Sequence, residues 1–159
     1  MAHDLDPERF RTVFGHFATG VAVITCTGPA GSGGMTANAV CSLSLDPLLA
    51  LVCFERSART LPLVRDAGRF AINVLREGSE DVARLFASKV PEDKKLRDIA
   101  HRVEAGMPIL DSALAWVVCD LRDLIPAGDH EIAIGAVVAM DVEDGDPLLW
   151  YRGAYRVLA

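Results

Sequence analysis

Gly34-Met35-Thr36-Ala37-Asn38-Ala39-Val40-Cys41-Ser42-Leu43-Ser44-Leu45-Asp46-Pro47 reads as a strand with a surplus of short polar side chains. Thr36, Asn38, Ser42 and Ser44 all fall on even positions, so alternation along one strand predicts that they share a face. Met35, Ala37, Ala39, Cys41, Leu43 and Leu45 then fall on the opposite face and are expected to pack a core. A polar face opposite an apolar one also describes a solvated surface. Short hydroxyl and amide groups, in place of Lys and Glu, suit a wall that closely approaches a planar polar ligand.

Upstream, Asp6-Pro7-Glu8 marks a helix start: Asp6 as N-cap, Pro7 at the first helical position, Glu8 in the first turn. Phe10, Val13, Phe14 and Phe17 recur at helical spacing and are expected to face the core. Residues 20–26 are β-branched and read as a strand, residues 28–34 as a glycine-rich turn, so a hairpin leads into the opening stretch.

Downstream of Pro47, residues 48–54 form an apolar run that suits a buried strand. Ser57 is placed to cap a short helix reaching about Asp66, and residues 70–75 form another strand. Ser79-Glu80-Asp81-Val82 opens a helix with Val82, Leu85 and Phe86 on its apolar side. Residues 89–102 are charged and expected to be exposed. Strands follow at 114–124 and 132–142, separated by a turn at Pro126-Ala127-Gly128-Asp129, and two short strands flank Gly153. Six or seven strands with few crossover helices predict a mainly β fold: an antiparallel barrel with short helical insertions.

The chain has 159 residues, 51% hydrophobic and 24% charged, and is expected to form one domain over residues 1–159. A net charge of -6 argues against nucleic-acid binding, which relies on Lys/Arg clusters. Cys26, Cys41, Cys53 and Cys119 lie in apolar runs without C-x-x-C spacing and read as buried, reduced thiols. No basic leader precedes an apolar core near Met1, and no apolar run is long enough to span a membrane, so a cytoplasmic protein is expected.

The glycines at 28–34 lack both the P-loop ending and the dinucleotide-binding fingerprint. His3, His16, His101 and His130 are scattered without metal-ligand spacing, so no metal site is expected. No nucleophile elbow is present. Two segments besides the polar stripe attract a functional reading. Arg56-Ser57-Ala58-Arg59-Thr60 places hydroxyls and guanidinium groups at a helix start, which is an anion site or a plain cap with solvated arginines. Gly128-Asp129-His130-Glu131 puts a histidine between two acids at a rim, or in an ordinary surface loop.

Taken together, Ala18-Thr19-Gly20 through Thr25, residues 34–47, residues 56–62, Phe70-Ala71-Ile72-Asn73-Val74-Leu75, Leu85-Phe86-Ala87-Ser88-Lys89, Gly128-Asp129-His130 and Gly153-Ala154-Tyr155 resemble the flavin reductases that serve two-component monooxygenases. The likeness covers nearly the whole chain. It implies an FMN-binding split β-barrel of about six antiparallel strands, a homodimer, and NADH or NADPH oxidation coupled to FMN or FAD reduction for a separate monooxygenase. The resemblance assigns flavin binding to Thr36, Ala37, Asn38, Ser42, Ser44, Ser57, Thr60, Phe86, Ala87 and Lys89, and the guanidinium of Arg59 beside Ser57 and Thr60 is expected to join them at the flavin phosphate. It assigns nicotinamide binding to Gly128, Asp129 and His130, with His130 as the catalytic residue. Leu48 departs from the family's frequent second proline. A non-enzymatic flavin carrier or redox sensor on the same barrel is the competing reading.

Overall fold

The structure is a computed structural model and describes residues 5–159; Met1 to Asp4, with His3 and the start of the expected leaderless segment, lie outside the described residues. The opening stretch is not one strand. It divides into β3 (Gly31–Ala37) and β4 (Val40–Leu45), separated by Asn38 and Ala39, which belong to neither. β3 pairs with β2 (Ala22–Gly28), whereas β4 pairs with β5 (Leu48–Glu55). The β2–β3 hairpin expected from the glycines forms, but its turn is only Pro29-Ala30; residues 31–34 lie in the strand. β4 and β5 are joined across a cis Asp46–Pro47 peptide.

That division closes the fold. With β6 (Arg69–Leu75), β9 (Ala113–Ala127) and β10 (His130–Val142), these strands form a seven-stranded antiparallel sheet in the order β3-β2-β6-β9-β10-β5-β4. Its two outer strands are consecutive in the chain and joined by two residues. Three Cα steps reach about 11 Å at most. Seven strands laid flat would hold their edges about 29 Å apart. The sheet is therefore rolled until its edges nearly meet, which makes a barrel with a split between β3 and β4.

Fully buried Ile24, Val52, Phe54, Phe70 and Val118 fill the barrel. Thr25 and Asn73 are buried with them and are satisfied: Asn73 Nδ2 donates to the Val23 carbonyl and to Thr25 Oγ1, while its Oδ1 accepts from Leu110 N–H. At Gly135 a Cβ would stand 2.4 Å from that of Cys119, so the crossing of β9 and β10 demands glycine.

The helices are short insertions: α1 (Pro7–Gly15), α2 (Thr60–Ala67), α3 (Glu80–Ala87) and α4 (Glu92–Lys95). Asp6 caps α1 as expected, its Oδ1 accepting from Glu8 and Arg9 N–H. The expectation for the apolar face of α1 is corrected. Phe10, Val13, Phe14 and Phe17 are 58–72% exposed and stand outside the barrel, because the core is already filled by the strands. The helix expected from Ser57 begins at Thr60, with Arg59 at the cap position and no side-chain cap.

The charged stretch 89–102 is mostly exposed, as expected, but not throughout. It contains α4 and the start of a hairpin, β7 (His101–Glu104) with β8 (Met107–Leu110), and it buries Lys95. Two-residue turns at Gly128-Asp129 and Arg152-Gly153 close the β9–β10 hairpin and the pair β11 (Leu149–Tyr151) and β12 (Ala154–Arg156). Positive φ at Gly128 and at both Arg152 and Gly153 supplies the geometry such hairpins need. β1 (Thr19–Gly20) joins β11 in a separate small sheet. Among the described residues, no helix is long and apolar enough to cross a membrane.

Candidate functional site

Two cavities open where the sheet edges meet. The larger holds about 670 Å³ and is walled by Phe14 of α1 and Phe17 just after it, by residues 37–41 at the strand break, and by Leu51 and Cys53 on β5. The smaller holds about 230 Å³ and is walled by Thr36, Ala87, Trp150 and Tyr155. Both include Val21, Ala37 and Asn38, so they adjoin at the break. The larger volume suits a drug-sized or cofactor-sized molecule, and its walls are mainly apolar with a few polar groups.

Thr36, Ala37, Asn38 and Ala87, all expected at a flavin site, are therefore brought together. Thr36 is partly committed, its hydroxyl donating to the Ala83 carbonyl on α3. Asn38 is exposed, and its side-chain amide has no hydrogen bond among the described residues. Ser42 and Ser44 do not join them. The single polar face expected for Thr36, Asn38, Ser42 and Ser44 is broken twice, once at residues 38–39 and again by a bulge between Ser42 and Ser44. Neither serine lines either cavity. The apolar set is split as well: Met35, Ala37 and Val40 pack on the core, but Cys41, Leu43 and Leu45 are exposed.

Ser57 and Arg59 are exposed in the turn before α2, and Arg59 Nη2 donates to the Val90 carbonyl at 3.0 Å. That bond ties the turn to the segment carrying exposed Lys89. Thr60 is corrected. It is 1% exposed and donates its hydroxyl to Glu92 Oε2 at 2.9 Å, so the start of α2 already has a carboxylate beside it. Phe86 is corrected as a side-chain contact: its ring is buried against β3, and only its backbone adjoins Ala87.

Gly128, Asp129 and His130 form the β9–β10 turn and rim. His130 pairs with Glu55 across β10 and β5, and Arg56 N–H donates to the Asp129 carbonyl at 3.0 Å, so the rim adjoins the Ser57 turn. Cross-strand partners share a face. His130 and Glu55 thus stand on the same outer face as Cys53 and Leu51, which wall the larger cavity. His130 itself lies at its margin, two residues along the strand, or about 7 Å. Asp129 Oδ1 is 2.7 Å from His130 Nδ1, and this hydrogen bond holds the Asp129 carboxyl below the ordinary carboxylate range.

Burial pushes the Cys26 thiol up to about 12, helped by Glu92, and the Cys119 thiol to about 11, helped by Asp120. Both stay protonated near neutrality and are unfit as nucleophiles. Cys53 is raised by burial and by neighbouring Cys41.

Sequence reasoning missed Trp150 and Tyr155, whose rings meet edge-on at 5.0 Å on the wall of the smaller cavity, and Thr19 on the wall of the larger. It also missed Glu92 and Lys95, because a charged run carries no signal that two of its members turn inward.

Residues 14–159 match the family described as Flavin reductase like domain. A probable flavin reductase of Rhizobium meliloti is 43% identical over 97% of the chain, and the chain spans half of that protein's length. The flavin-dependent monooxygenase reductase subunit HsaB of Mycobacterium tuberculosis is 36% identical, with 98% of this chain and 84% of that protein aligned. Among solved structures, the NADH:FAD oxidoreductase SgcE6 of Streptomyces globisporus C-1027, in complex with NAD and FAD fragments, superposes with a TM-score of 0.88. It is 34% identical and covers 99% of this chain and 98% of its own.

Proposed function

This chain belongs to the flavin reductase-like domain family, and from that premise we propose that it is an NAD(P)H-dependent flavin reductase whose reduced FMN or FAD serves a separate monooxygenase. The observation that carries the reading is the strand break at residues 38–39, which opens onto both cavities and shares an outer face with the Asp129–His130 rim.

The residues present fit a flavin. Val21, Val40, Leu51 and Val74 offer apolar walls to a flat ring system, and Asn38 offers a free amide to its polar edge. Ser57, Arg59 and Lys89 supply hydroxyl, guanidinium and ammonium donors for a phosphate, at charge-assisted strength. When bound, the flavin supplies the hydride acceptor at N5 for hydride leaving nicotinamide C4.

The protein's own part is placement. A carboxylate only accepts, so Asp129 assigns the proton to Nδ1 of His130 and leaves Nε2 of the neutral ring as an acceptor. That acceptor suits the carboxamide N–H of a nicotinamide. Gly128 holds the turn at φ 63° that presents the pair. Ser42 and Ser44 take a flavin role only if bound flavin extends along β4. The exposed face of α1 is the contact for a second copy, and the chain acts as one domain in a reducing, cytoplasmic setting where its cysteines stay free.

The test is direct. Purified protein mixed with NADH or NADPH and with FMN or FAD is expected to bleach the nicotinamide absorbance in a flavin-dependent manner. A protein that binds flavin without turnover would instead be a carrier, and one that does neither would overturn the reading.

A further inference from the structure

Lys95 is 3% exposed, and its ammonium has three protein acceptors: Glu92 Oε1 at 2.7 Å, the Gly34 carbonyl at 3.0 Å and the Phe86 carbonyl at 3.2 Å. An ammonium carries three N–H groups, so it is fully matched. The other Glu92 oxygen accepts from Gly34 N–H and from Thr60 Oγ1, each at 2.9 Å. Gly34 is therefore gripped at both its N–H and its carbonyl. A Cβ there would meet the Ile24 carbonyl at 2.7 Å and the Phe86 ring at 2.9 Å, so the close grip depends on glycine.

Each gripped residue stands within two positions of a segment of the site. Gly34 lies two residues before Thr36 on β3. Phe86 is followed by Ala87, which walls the smaller cavity. Thr60 follows Arg59, whose guanidinium reaches the Val90 carbonyl. Three elements that share no ladder hydrogen bonds with one another are thus held in one arrangement by two side chains. A buried ion pair contributes little stability relative to an apolar replacement of equal volume, whereas removing one partner is costly. Stability is thus a weak reason to bury this pair, and fixing the relative position of three segments is a specific one.

We infer that the Glu92–Lys95 pair clamps the flavin cradle, making Lys95 and Glu92 positioning residues for flavin affinity; this rests on the flavin reductase reading. Neither side chain is asked to touch the ligand. The consequence is a split between kinetic constants: loss of the clamp loosens the cradle and shows in flavin binding, while the Asp129–His130 rim, on a β9–β10 hairpin that none of the clamp's hydrogen bonds reaches, keeps its grip on nicotinamide.

The experiment compares Lys95→Met with the double variant Glu92→Gln/Lys95→Met, which removes both charges and so leaves no unpaired buried ion. FMN and FAD are titrated by flavin fluorescence with no nicotinamide present, and Tm is measured alongside. Lys95→Met is expected to lower Tm and to weaken flavin binding by about tenfold or more. The double variant is expected to regain Tm and not flavin affinity, with the flavin KM raised far more than the NADH KM. A double variant that regains both Tm and flavin affinity would make the pair merely structural and overturn the inference, as would an unchanged flavin Kd in either folded variant. NADH turnover by the unsubstituted protein tests the reductase reading separately, so the two failures are distinguishable.

Discussion

The bond between Asp129 and His130 sets the form in which the imidazole meets a substrate. Because the carboxyl is depressed in the folded protein, its hydrogen bond is complete above the ordinary carboxylate range and is lost only as pH falls through the lower folded value. The pair is thus intact throughout the neutral range. Replacing His130 with alanine is expected to lower kcat/KM for NADH by about tenfold, the worth of one good hydrogen bond, while flavin Kd barely moves. Steady-state kinetics beside a flavin titration checks this, and an unchanged kcat/KM would remove His130 from the nicotinamide site. The types at this site were readable in the chain: a glycine for the turn, then an acid and a histidine. Asn38 was readable too, but the reason for its freedom was not, since that comes from the ladder ending on either side of it.

Among the elements, β3 shows how a glycine run is misread. Gly33 and Gly34 resemble turn residues, yet they form a bare strand surface on which Phe86, Leu63 and Glu92 sit closely. Gly34→Ala is expected to push α3 away from β3 and to cost about 1–3 kcal/mol, the usual penalty of overpacking. Denaturant unfolding measures that loss, and flavin affinity should fall with it because Thr36 bonds α3 through Ala83. A stability equal to the unsubstituted protein would show that α3 docks loosely. Within the mostly exposed stretch 89–102, Lys95 was misread for a related reason. Lys and Glu are almost never fully buried unless paired, so a charged run predicts exposure. Lys95 escapes because its donors are met by Glu92 one helical turn away, by the Phe86 carbonyl and by the distant Gly34 carbonyl, while the other Glu92 oxygen is met by distant Gly34 and Thr60.

For the whole molecule, the barrel closes because its edge strands are neighbours in the chain, and the same closure leaves outside the core a helix, α1, that still lends Phe14 to the wall of the larger cavity. Its Phe10 and Phe14 rings pack on each other at 4.7 Å and face outward with Val13 and Phe17. A contiguous exposed apolar patch of this kind marks an interaction surface. Phe10→Ser with Val13→Ser is expected to weaken self-association by roughly tenfold or more, since buried apolar anchors dominate such contacts. Sedimentation over a concentration series measures it, and an unaltered association would remove α1 from the proposed contact between copies.

Local pattern sufficed for most element types, for the β2–β3 and β9–β10 hairpins and for the cap at Asp6, because these depend on neighbours within a few positions. It failed where distant residues competed. The even-numbered polar stripe assumed one uninterrupted strand, and alternation cannot register a change of partner at residues 38–39 or a bulge at Ser42 and Ser44. The face of α1 was amphipathic in either setting, and the filling of the barrel by its own strands excluded the helix from the core. Lys95 went inward for the same reason that Ser42 stayed out: burial is decided by which partners the closed sheet brings within reach, and that is a property of the folded chain as a whole.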